Sequence, residues 1–293
     1  MLEKRPQILL FGRLRFCQAE GGSAPALSGA ARELLAYLCV HRGKELRRER
    51  LADLFWPDLD QVRSRNALNT AVWRVNKSIK DEPELTLRST PEVLALETGA
   101  SVATDVEMFE AAVRRGLETW GQDPHLPADV RQELSGAVGH HSAPFLEGCN
   151  AEWAVVERER LSSLHLRGLA VLMQDRGLER DYEAALEYGL QILSADPFRE
   201  QAQCEVMWLH VLNGQRAKAL MQYRDYRALL QREMGIEPMA KMRALVAYIR
   251  NDPDAERRLS DQSLGGLSGR SFADILQSVS LSRLDTYRTL QTS

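Results

Sequence analysis

FWPDLDQVRSRNALNTAVWRVNKSI, residues 55–79, decides how the N-terminal part of this chain folds. A short helix ends at Trp56-Pro57, a turn follows, and an amphipathic helix is predicted over residues 64–80. At about 100° per residue, four apolar side chains fall within about 20–40° of one line and predict a face turned to the core. They are Leu68, Val72, Val75 and Ile79. A helix pair of this kind is typical of a DNA-reading unit.

The side of this helix opposite the apolar stripe carries cationic groups, amides, a hydroxyl and an aromatic ring. Arginine and asparagine are the side chains that pair bidentately with guanine and adenine edges in a major groove. A solvated helix face explains such residues about as often. The outward positions are Arg63, Asn66, Thr70, Trp73 and Lys77, with Asn69, Arg74 and Lys80 on the flanks.

The composition is ordinary for a globular protein, with 44% hydrophobic and 27% charged residues. A chain of 293 residues is long enough for about two domains. The sequence has no run of about 18 apolar residues, and arginines interrupt the N-terminal apolar stretch too early for a signal peptide. We therefore expect a cytoplasmic, nucleoid-associated protein that has no membrane partner.

The net charge of −3 conceals an uneven distribution of charge. Residues 1–98 contain 16 lysines and arginines against 13 acidic residues, whereas residues 99–293 contain 22 against 28. Between His41 and Lys80 the numbers are 10 basic and 5 acidic. Positive charge is thus concentrated around the helix 64–80, where it could contact phosphates.

Two apolar-rich strands, at residues 7–11 and 14–16, predict a small N-terminal sheet. Ser28 can cap a helix that ends near His41, and a second helix is predicted over residues 48–55. Apolar residues at helical spacing predict an inward face on both helices. These inward residues are Leu34, Leu35, Leu38 and Cys39 in the first helix, and Leu51, Leu54 and Phe55 in the second.

A hairpin is predicted after the helix 64–80. Residues 85–88 and 93–96 alternate in polarity around the turn Ser89-Thr90-Pro91-Glu92, and such a hairpin would form a wing. Arg88, near its tip, could enter a minor groove or contact the DNA backbone, or it could be solvated and idle. A sheet, three helices and this hairpin together predict an α+β winged-helix domain.

Helices are predicted for most of the chain after residue 98. The small, polar segment 98–104 is interpreted as a short linker, and Asp105 as the cap of the helix that follows. Further helices are expected over residues 127–138 and 152–176.

A sequence repeat follows these helices. Asp181–Leu186 resembles Arg216–Leu220, and Ala185 and Ala219 lie 34 positions apart, which is the tetratricopeptide period. Small alanines let paired helices approach closely, and a stack of such pairs forms a groove that binds proteins. A rigid dimerisation or packing unit would have the same repeat. The sequence therefore predicts an all-α, tetratricopeptide-like helical repeat domain.

The C-terminal residues 252–293 have a different composition. The stretch 250–269 is rich in Asp, Arg, Ser and Gly and predicts a flexible connector. A short amphipathic helix is predicted beyond it, which would dock on its own protein or on a partner.

Motifs that would indicate catalysis are missing from the sequence. It contains no G-x-x-x-x-G-K-[ST], G-x-S-x-G or H-E-x-x-H, so we predict no enzyme and no cofactor. The four cysteines, at positions 17, 39, 149 and 204, have no CxxC spacing and are interpreted as reduced structural thiols. Adjacent His140 and His141 diverge by about 100° on a helix, so we predict no metal site.

Several motifs in order resemble the Streptomyces antibiotic regulatory protein family. They are LLAYLCVHRG (34–43), RERLADLFWPD (48–58), SRNALNTAVWRVNKSI (64–79), TDVEMFEAAV (104–113) and FLEGCNAEWAVVERERL (145–161). The similarity covers about residues 6–250. One segment departs from it: TPEVLAL, residues 90–96, stands where the family usually has a glycine-rich turn.

The resemblance implies a winged-helix DNA-binding domain of the OmpR type in residues 1–98 and a bacterial transcriptional activator domain in residues 99–251. It also implies that two protomers bind direct repeats about one helical turn apart near a promoter, with a possible homodimer on DNA. RNA polymerase would be contacted through its sigma and alpha subunits.

The function predicted from these features is sequence-specific transcriptional activation, with a helical-repeat adaptor or signalling scaffold as the alternative. In the adaptor, the winged helix would bind protein instead of DNA. Trp73 could contact thymine methyls or pack against the wing. Base reading is expected mainly from Arg63, Asn66, Asn69, Thr70 and Arg74. Phosphate anchoring is expected from Arg65, Lys77 and Lys80, and flanking contacts from Arg42, Lys44, Arg47 and Arg48.

Overall fold

The structure is a computed structural model that describes residues 8–16, 27, 29–80, 82, 84–99, 102–141 and 143–251. Five short strands precede or alternate with helices up to residue 98, and every later element of the described residues is a helix. The predicted connector and C-terminal helix, residues 252–293, lie outside the described residues, as does Ser28.

The first eight elements are five strands and three helices, in the order ββαβααββ. They are β1 (Ile8–Leu9), β2 (Arg15–Phe16), α1 (Ala30–Val40), β3 (Leu46–Arg47), α2 (Arg48–Phe55), α3 (Gln61–Ser78), β4 (Leu85–Ser89) and β5 (Val93–Thr98). Seven helices follow: α4 (Asp105–Gln122), α5 (Ala128–His140), α6 (Glu152–Leu178), α7 (Tyr182–Ala195), α8 (Glu200–Leu212), α9 (Arg216–Met234) and α10 (Ala240–Asn251).

The chain divides into two compact units, and the division falls within helices α4, α5 and α6. Of the described residues, those up to 111 and those from 139 to 163 form the first unit, and those from 112 to 138 and from 164 onwards form the second. Each unit has its own buried apolar residues.

The first unit contains two small antiparallel sheets. Strands β1 and β2 pair with each other, and β3, β5 and β4 form a second sheet in that order. The predicted hairpin is confirmed, with Leu87 opposite Leu96 and Ser89 opposite Leu94. Strand β3 was not predicted, because a strand of two residues shows no alternation in the sequence.

The helices of the first unit enclose the core as their apolar spacing predicts. In α1, Leu34, Leu35, Leu38 and Cys39 are buried. In α2, Leu51 is buried, but the prediction for Leu54 was wrong, because its side chain is 38% exposed. Helix α2 has only eight residues and packs through a narrow stripe around Leu51 and Ala52. Leu54 lies at the edge of this contact.

The segment before α4 packs into the first unit, so its interpretation as a linker was wrong. Val102, Ala103 and Thr104 are buried, and the N–H of Ile8 donates to the carbonyl oxygen of Ala103 over 3.2 Å. The cap of α4 was also assigned to the wrong residue. Thr104 and Glu107 form a capping box: the Glu107 N–H donates to Thr104 Oγ1, and the Thr104 N–H donates to Glu107 Oε2.

Asp105, the predicted cap, has a different role. Its carboxylate accepts the N–H groups of Leu10 and Phe11 over 2.8 and 2.9 Å. Burial raises the pKa of Asp105 above its ordinary value, and the backbone hydrogen bonds oppose that shift. The carboxylate therefore fastens the start of α4 to the N-terminal segment.

The second unit shows the predicted helical repeat. Ala185 and Ala219 occupy equivalent positions near the starts of α7 and α9, and both are fully buried. A Cβ on Gly189 would lie 2.6 Å from Val206 Cγ2, so helices α7 and α8 approach very closely there. Gly214 follows α8 with a φ of +70°, as expected for a helix end. Gly177, in contrast, does not end a helix, because α6 continues past it to Leu178.

The described residues form neither a membrane-spanning helix nor a cluster of metal ligands. None of their helices is both long and apolar enough to cross a membrane. The same residues contain no group of three or more His, Cys, Asp or Glu side chains placed to hold a metal ion. Cys39, Cys149 and Cys204 are free thiols, and burial raises the pKa of Cys39 to about 12.

Candidate nucleic-acid interface

Helix α3 begins at a side-chain cap. The carboxylate of Asp60 accepts the N–H groups of Val62 and Arg63 over 3.0 and 2.9 Å. A cap of this kind satisfies donors that have no partner within the helix. The helix therefore starts at Gln61, three residues before the predicted start at Ser64.

One side of α3 is buried as predicted. Leu68, Val75 and Ile79 are at most 2% exposed, and Val72 is half-buried. Ala71 and Ser64 complete the buried stripe. Because the helix is held along this line, the opposite side is fixed in its outward orientation.

The opposite side of α3 presents every residue that was predicted to lie outward. All are exposed, and Trp73 is exposed by 63%. The exposed residues are Arg63, Arg65, Asn66, Asn69, Thr70, Trp73, Arg74 and Lys77 on the helix, and Lys80 two residues after its end. We call this set the outer face of α3.

Several members of the outer face have partners within the protein. Arg63 lies 3.3 Å from Asp60 and Arg65 lies 2.8 Å from Glu49, both as exposed ion pairs. The Thr70 hydroxyl donates to the carbonyl oxygen of Asn66, which leaves its oxygen available as an acceptor. Exposed pairs of this kind are weak and can exchange for phosphate.

Trp73 and Lys77 lie together near the C-terminal half of α3. Lys77 Nζ is 5.4 Å from the centroid of the Trp73 ring, a cation–π distance. Both line a cleft of about 420 Å³ that also contacts Lys80 and, on strand β4, Leu85 and Thr86. The cleft thus runs between the outer face of α3 and the predicted wing, and two lysines line it.

Arg48 connects three elements of the first unit. Its guanidinium donates to Asn69 Oδ1 on α3 and, over 3.1 Å, to Ser89 Oγ on β4. The backbone N–H of Arg48 donates to the carbonyl oxygen of Glu92 over 2.9 Å. Burial lowers the pKa of Arg48 from its ordinary value. The structure therefore brings Arg48 beside Asn69, a predicted base-reading residue.

Arg42 is turned to the interior of the first unit. Its Nε donates to Glu107 Oε1 over 2.6 Å, and its Nη1 donates to the carbonyl oxygen of Val102 over 2.6 Å. Thr98 Oγ1 accepts a longer bond of 3.4 Å. The guanidinium therefore holds the segment before α4, and its donors are used within the protein.

Arg88 also pairs within the protein. It donates to Glu45 over 2.7 Å and to Glu97 over 2.8 Å. These two carboxylates raise the pKa of Arg88. The residue lies within strand β4, one position before the strand ends at Ser89, so it is not part of the turn itself.

The remaining predicted cations are exposed. Lys44, Arg47, Arg74 and Lys80 take part in none of the ion pairs found among the described residues. Sequence reasoning missed Ser89 and the contact between Arg48 and Asn69. No local signal in the sequence could have shown them, because residues 48, 69 and 89 come from three separate elements.

The described residues form a sheet with three helices and a hairpin, followed by helical repeats. Comparison with known proteins assigns this combination to a class of transcriptional regulators. Residues 104–250 match the family described as "Bacterial transcriptional activator domain", which is half of the chain. The chain belongs to this family, and its type is that of the Streptomyces antibiotic regulatory proteins.

Two curated relatives are similar over most of the chain. The regulatory protein AfsR of Streptomyces coelicolor is 25% identical over 266 residues, which cover 88% of this chain and 26% of AfsR. The transcriptional regulatory protein MoaR1 of Mycobacterium bovis is 22% identical over 237 residues, covering 77% of this chain and 73% of MoaR1. The chain thus spans about a quarter of the length of AfsR.

A solved structure has the same fold. EmbR of Mycobacterium tuberculosis, in complex with a low-affinity phosphopeptide, superposes with a TM-score of 0.68 at 17% identity. The match covers 98% of this chain and 71% of EmbR. The predicted fold class, an α+β winged helix followed by an all-α tetratricopeptide-like domain, is confirmed.

Proposed function

We propose that this protein is a sequence-specific DNA-binding transcriptional activator. The observation that carries the proposal is the outer face of α3: nine exposed residues, five of them cationic, opposite an apolar stripe that faces the core. A helix of this width fits the major groove, where its amides and guanidinium groups can reach base edges. We place the DNA-binding part in residues 1–98 and the activator part in residues 99–251.

The contacts of the first unit sort its residues into different roles. Arg74 and Asn66 have the chemistry of base readers, together with Arg63, Asn69 and Thr70. Exposed Lys44, Arg47, Lys77 and Lys80 are suited to phosphate, together with Arg65 once it leaves Glu49. In our proposal Arg42 and Arg88 stay with their carboxylates and stabilise the unit.

The helical repeats of the second unit provide a surface for protein partners in this proposal. By resemblance to the family, two protomers would bind direct repeats near a promoter and contact RNA polymerase through its sigma and alpha subunits. Such a protein would act on nucleoid DNA in the cytoplasm. No cofactor or catalytic step is needed for this activity.

Selection from a duplex library with a randomised segment tests DNA reading. The full chain is expected to enrich a sequence that contains two similar half-sites about one helical turn apart. The enriched duplex and a scrambled duplex are then compared by mobility shift at several salt concentrations. Weak, non-selective retention at every salt concentration would favour the adaptor, in which the winged helix binds protein.

Footprinting with and without RNA polymerase holoenzyme tests recruitment. The footprint of the full chain should extend towards the promoter when the polymerase is present, and the polymerase should bind more tightly with the chain than without it. Independent footprints with unchanged affinities would contradict recruitment and leave DNA reading intact.

A further inference from the structure

Arg48 is held more firmly than its neighbours in the cationic segment of the first unit. It is half-buried, whereas Arg47 and Arg50 on either side are exposed. Its backbone N–H and two of its guanidinium nitrogens each have a partner within the protein, at Glu92, Ser89 and Asn69. One side chain therefore joins the outer face of α3 to the strand of the wing.

The chemistry of arginine dictates how the Asn69 amide must be oriented. A guanidinium has only donors, and an asparagine amide has one acceptor atom, Oδ1. Only Oδ1 can therefore face Arg48, so the two amide orientations are not equivalent. With Arg48 in place, the Nδ2 group and its two donors are directed away from the guanidinium.

We infer that Arg48 is a positioning residue that sets the base preference of Asn69. The inference rests on the proposed function, and it deepens the role of that same helix. A freely rotating asparagine can offer donor and acceptor in either order, so it tolerates more than one base edge at a given position. When Arg48 holds Oδ1, the amide presents its donor and its acceptor to a base edge in only one arrangement. Arg48 acts through Asn69 and does not need to touch DNA.

A lysine cannot replace this arginine, although it carries the same charge. The guanidinium fork donates in two directions at once, to α3 and to β4, whereas an ammonium on a flexible stem is a point charge. Arg48→Lys therefore separates the two possible roles. A phosphate contact would survive the substitution, and the bridge between Asn69 and Ser89 would be lost.

The experiment is selection from a randomised duplex library with the full chain, carried out for the wild type, Arg48→Lys, Asn69→Ala and a control. Arg50→Lys is the matched control, since Arg50 is an exposed arginine of the same helix. Asn69→Ala identifies the base position that Asn69 reads. At that position, Arg48→Lys is expected to reduce the wild-type base preference by about five- to tenfold, because one good base contact discriminates by about that factor or more. Arg50→Lys is expected to keep the preference.

The salt dependence of DNA affinity shows whether Arg48 contacts a phosphate, because each lost phosphate contact lowers that dependence. For Arg48→Ala, the slope of log affinity against log salt should equal that of the wild type, because no phosphate contact is lost. A slope smaller by about one, together with full retention of base preference in Arg48→Lys, would overturn the inference.

A measurement without DNA separates this inference from the proposed function. The side-chain NH₂ signal of Asn69 in the NMR spectrum of the free protein is assigned by its loss in Asn69→Ala. Arg48→Lys should shift this signal, and Arg50→Lys should leave it in place. An unshifted signal in Arg48→Lys would overturn the inference even if the protein selects DNA. Failure of the wild type to enrich any sequence would instead overturn the proposed function.

Discussion

Arginine side chains occur in two different settings in the first unit: on the outer face of α3, and beside the segment 102–107, which Arg42 binds. Arg74 on the outer face is exposed and takes part in no ion pair among the described residues. Arg42 donates to Glu107, Val102 and Thr98. Both arginines belong to the cationic cluster between His41 and Lys80. Density of positive charge in a sequence therefore does not show which cations face a ligand.

The difference has a simple physical origin. A helix packed through one stripe leaves its far side in solvent, and the residues of the outer face of α3 are exposed in the described part of the chain. Arg42 follows the end of α1, where a capping-box glutamate from α4 lies within reach. The first location leaves the donors exposed to solvent, and in the second location the donors hold another segment of the protein.

Removal of Arg42 should give the largest effect on stability. Arg42→Ala leaves the Glu107 carboxylate and the Val102 carbonyl oxygen without their charged donor, so the free energy of unfolding should fall by about 3 kcal/mol. Urea unfolding of the full chain measures it. Arg74→Ala is the control and should change stability by less than about 0.5 kcal/mol. Equal losses in the two variants would remove the contrast between the two regions.

Arg74→Ala should instead show its effect on DNA. Loss of a guanidinium from the outer face should reduce discrimination between the selected duplex and a scrambled one by about 2 kcal/mol. Mobility shift with both duplexes at one salt concentration measures this difference. If affinity for both duplexes falls equally, Arg74 contacts phosphate and does not read a base.

Asp105→Asn tests the contact between the segment 102–107 and the N-terminal residues Leu10 and Phe11. An amide offers one acceptor atom where the carboxylate offers two, so Leu10 or Phe11 loses its partner. We expect the free energy of unfolding to fall by about 1 kcal/mol, measured by urea unfolding. Asp129→Asn, at an exposed carboxylate of α5, should have a smaller effect. A larger effect at Asp129 would contradict a special role of Asp105.

Lys77→Ala should produce the smallest change in selectivity. Lys77 lines the cleft between α3 and β4, and a phosphate contact there contributes the same to every sequence. Affinities for selected and scrambled DNA should fall together, and the salt slope should decrease by about one. Lys218→Ala, at an exposed lysine of α9, should leave the slope unchanged. An unchanged slope in Lys77→Ala would place this lysine outside the interface.

The elements that local patterns could predict are present with small shifts. Helix α2 has the predicted bounds, and α3 starts three residues early because Asp60 caps it. The hairpin forms at the predicted place, except that Ser89 belongs to strand β4 and not to the turn. The spacing of Ala185 and Ala219 marks two buried, equivalent positions. Periodicity, caps and repeats are local properties, so the sequence alone indicates them.

The errors fall where distant parts of the chain meet. The segment 98–104 has the composition of a linker, but Val102, Ala103 and Thr104 are buried. Hydrogen bonds from Ile8 and Arg42 hold this part of the segment. Thr104 was not predicted as the cap of α4, although Thr-x-x-Glu is a capping box that the sequence contains. This signal is local, but the neighbouring Asp105 is also a residue type that commonly caps helices.

By itself, the sequence determined the helices and the hairpin, the repeat, and which side of α3 is apolar, because each depends on residues a few positions apart. The tertiary structure alone decided which arginines stay exposed and which are held by partners within the protein. Arg42 and Glu107 are 65 positions apart, and Arg48 and Asn69 are 21 apart. Pairing over such separations depends on how the elements pack, and no local pattern encodes it.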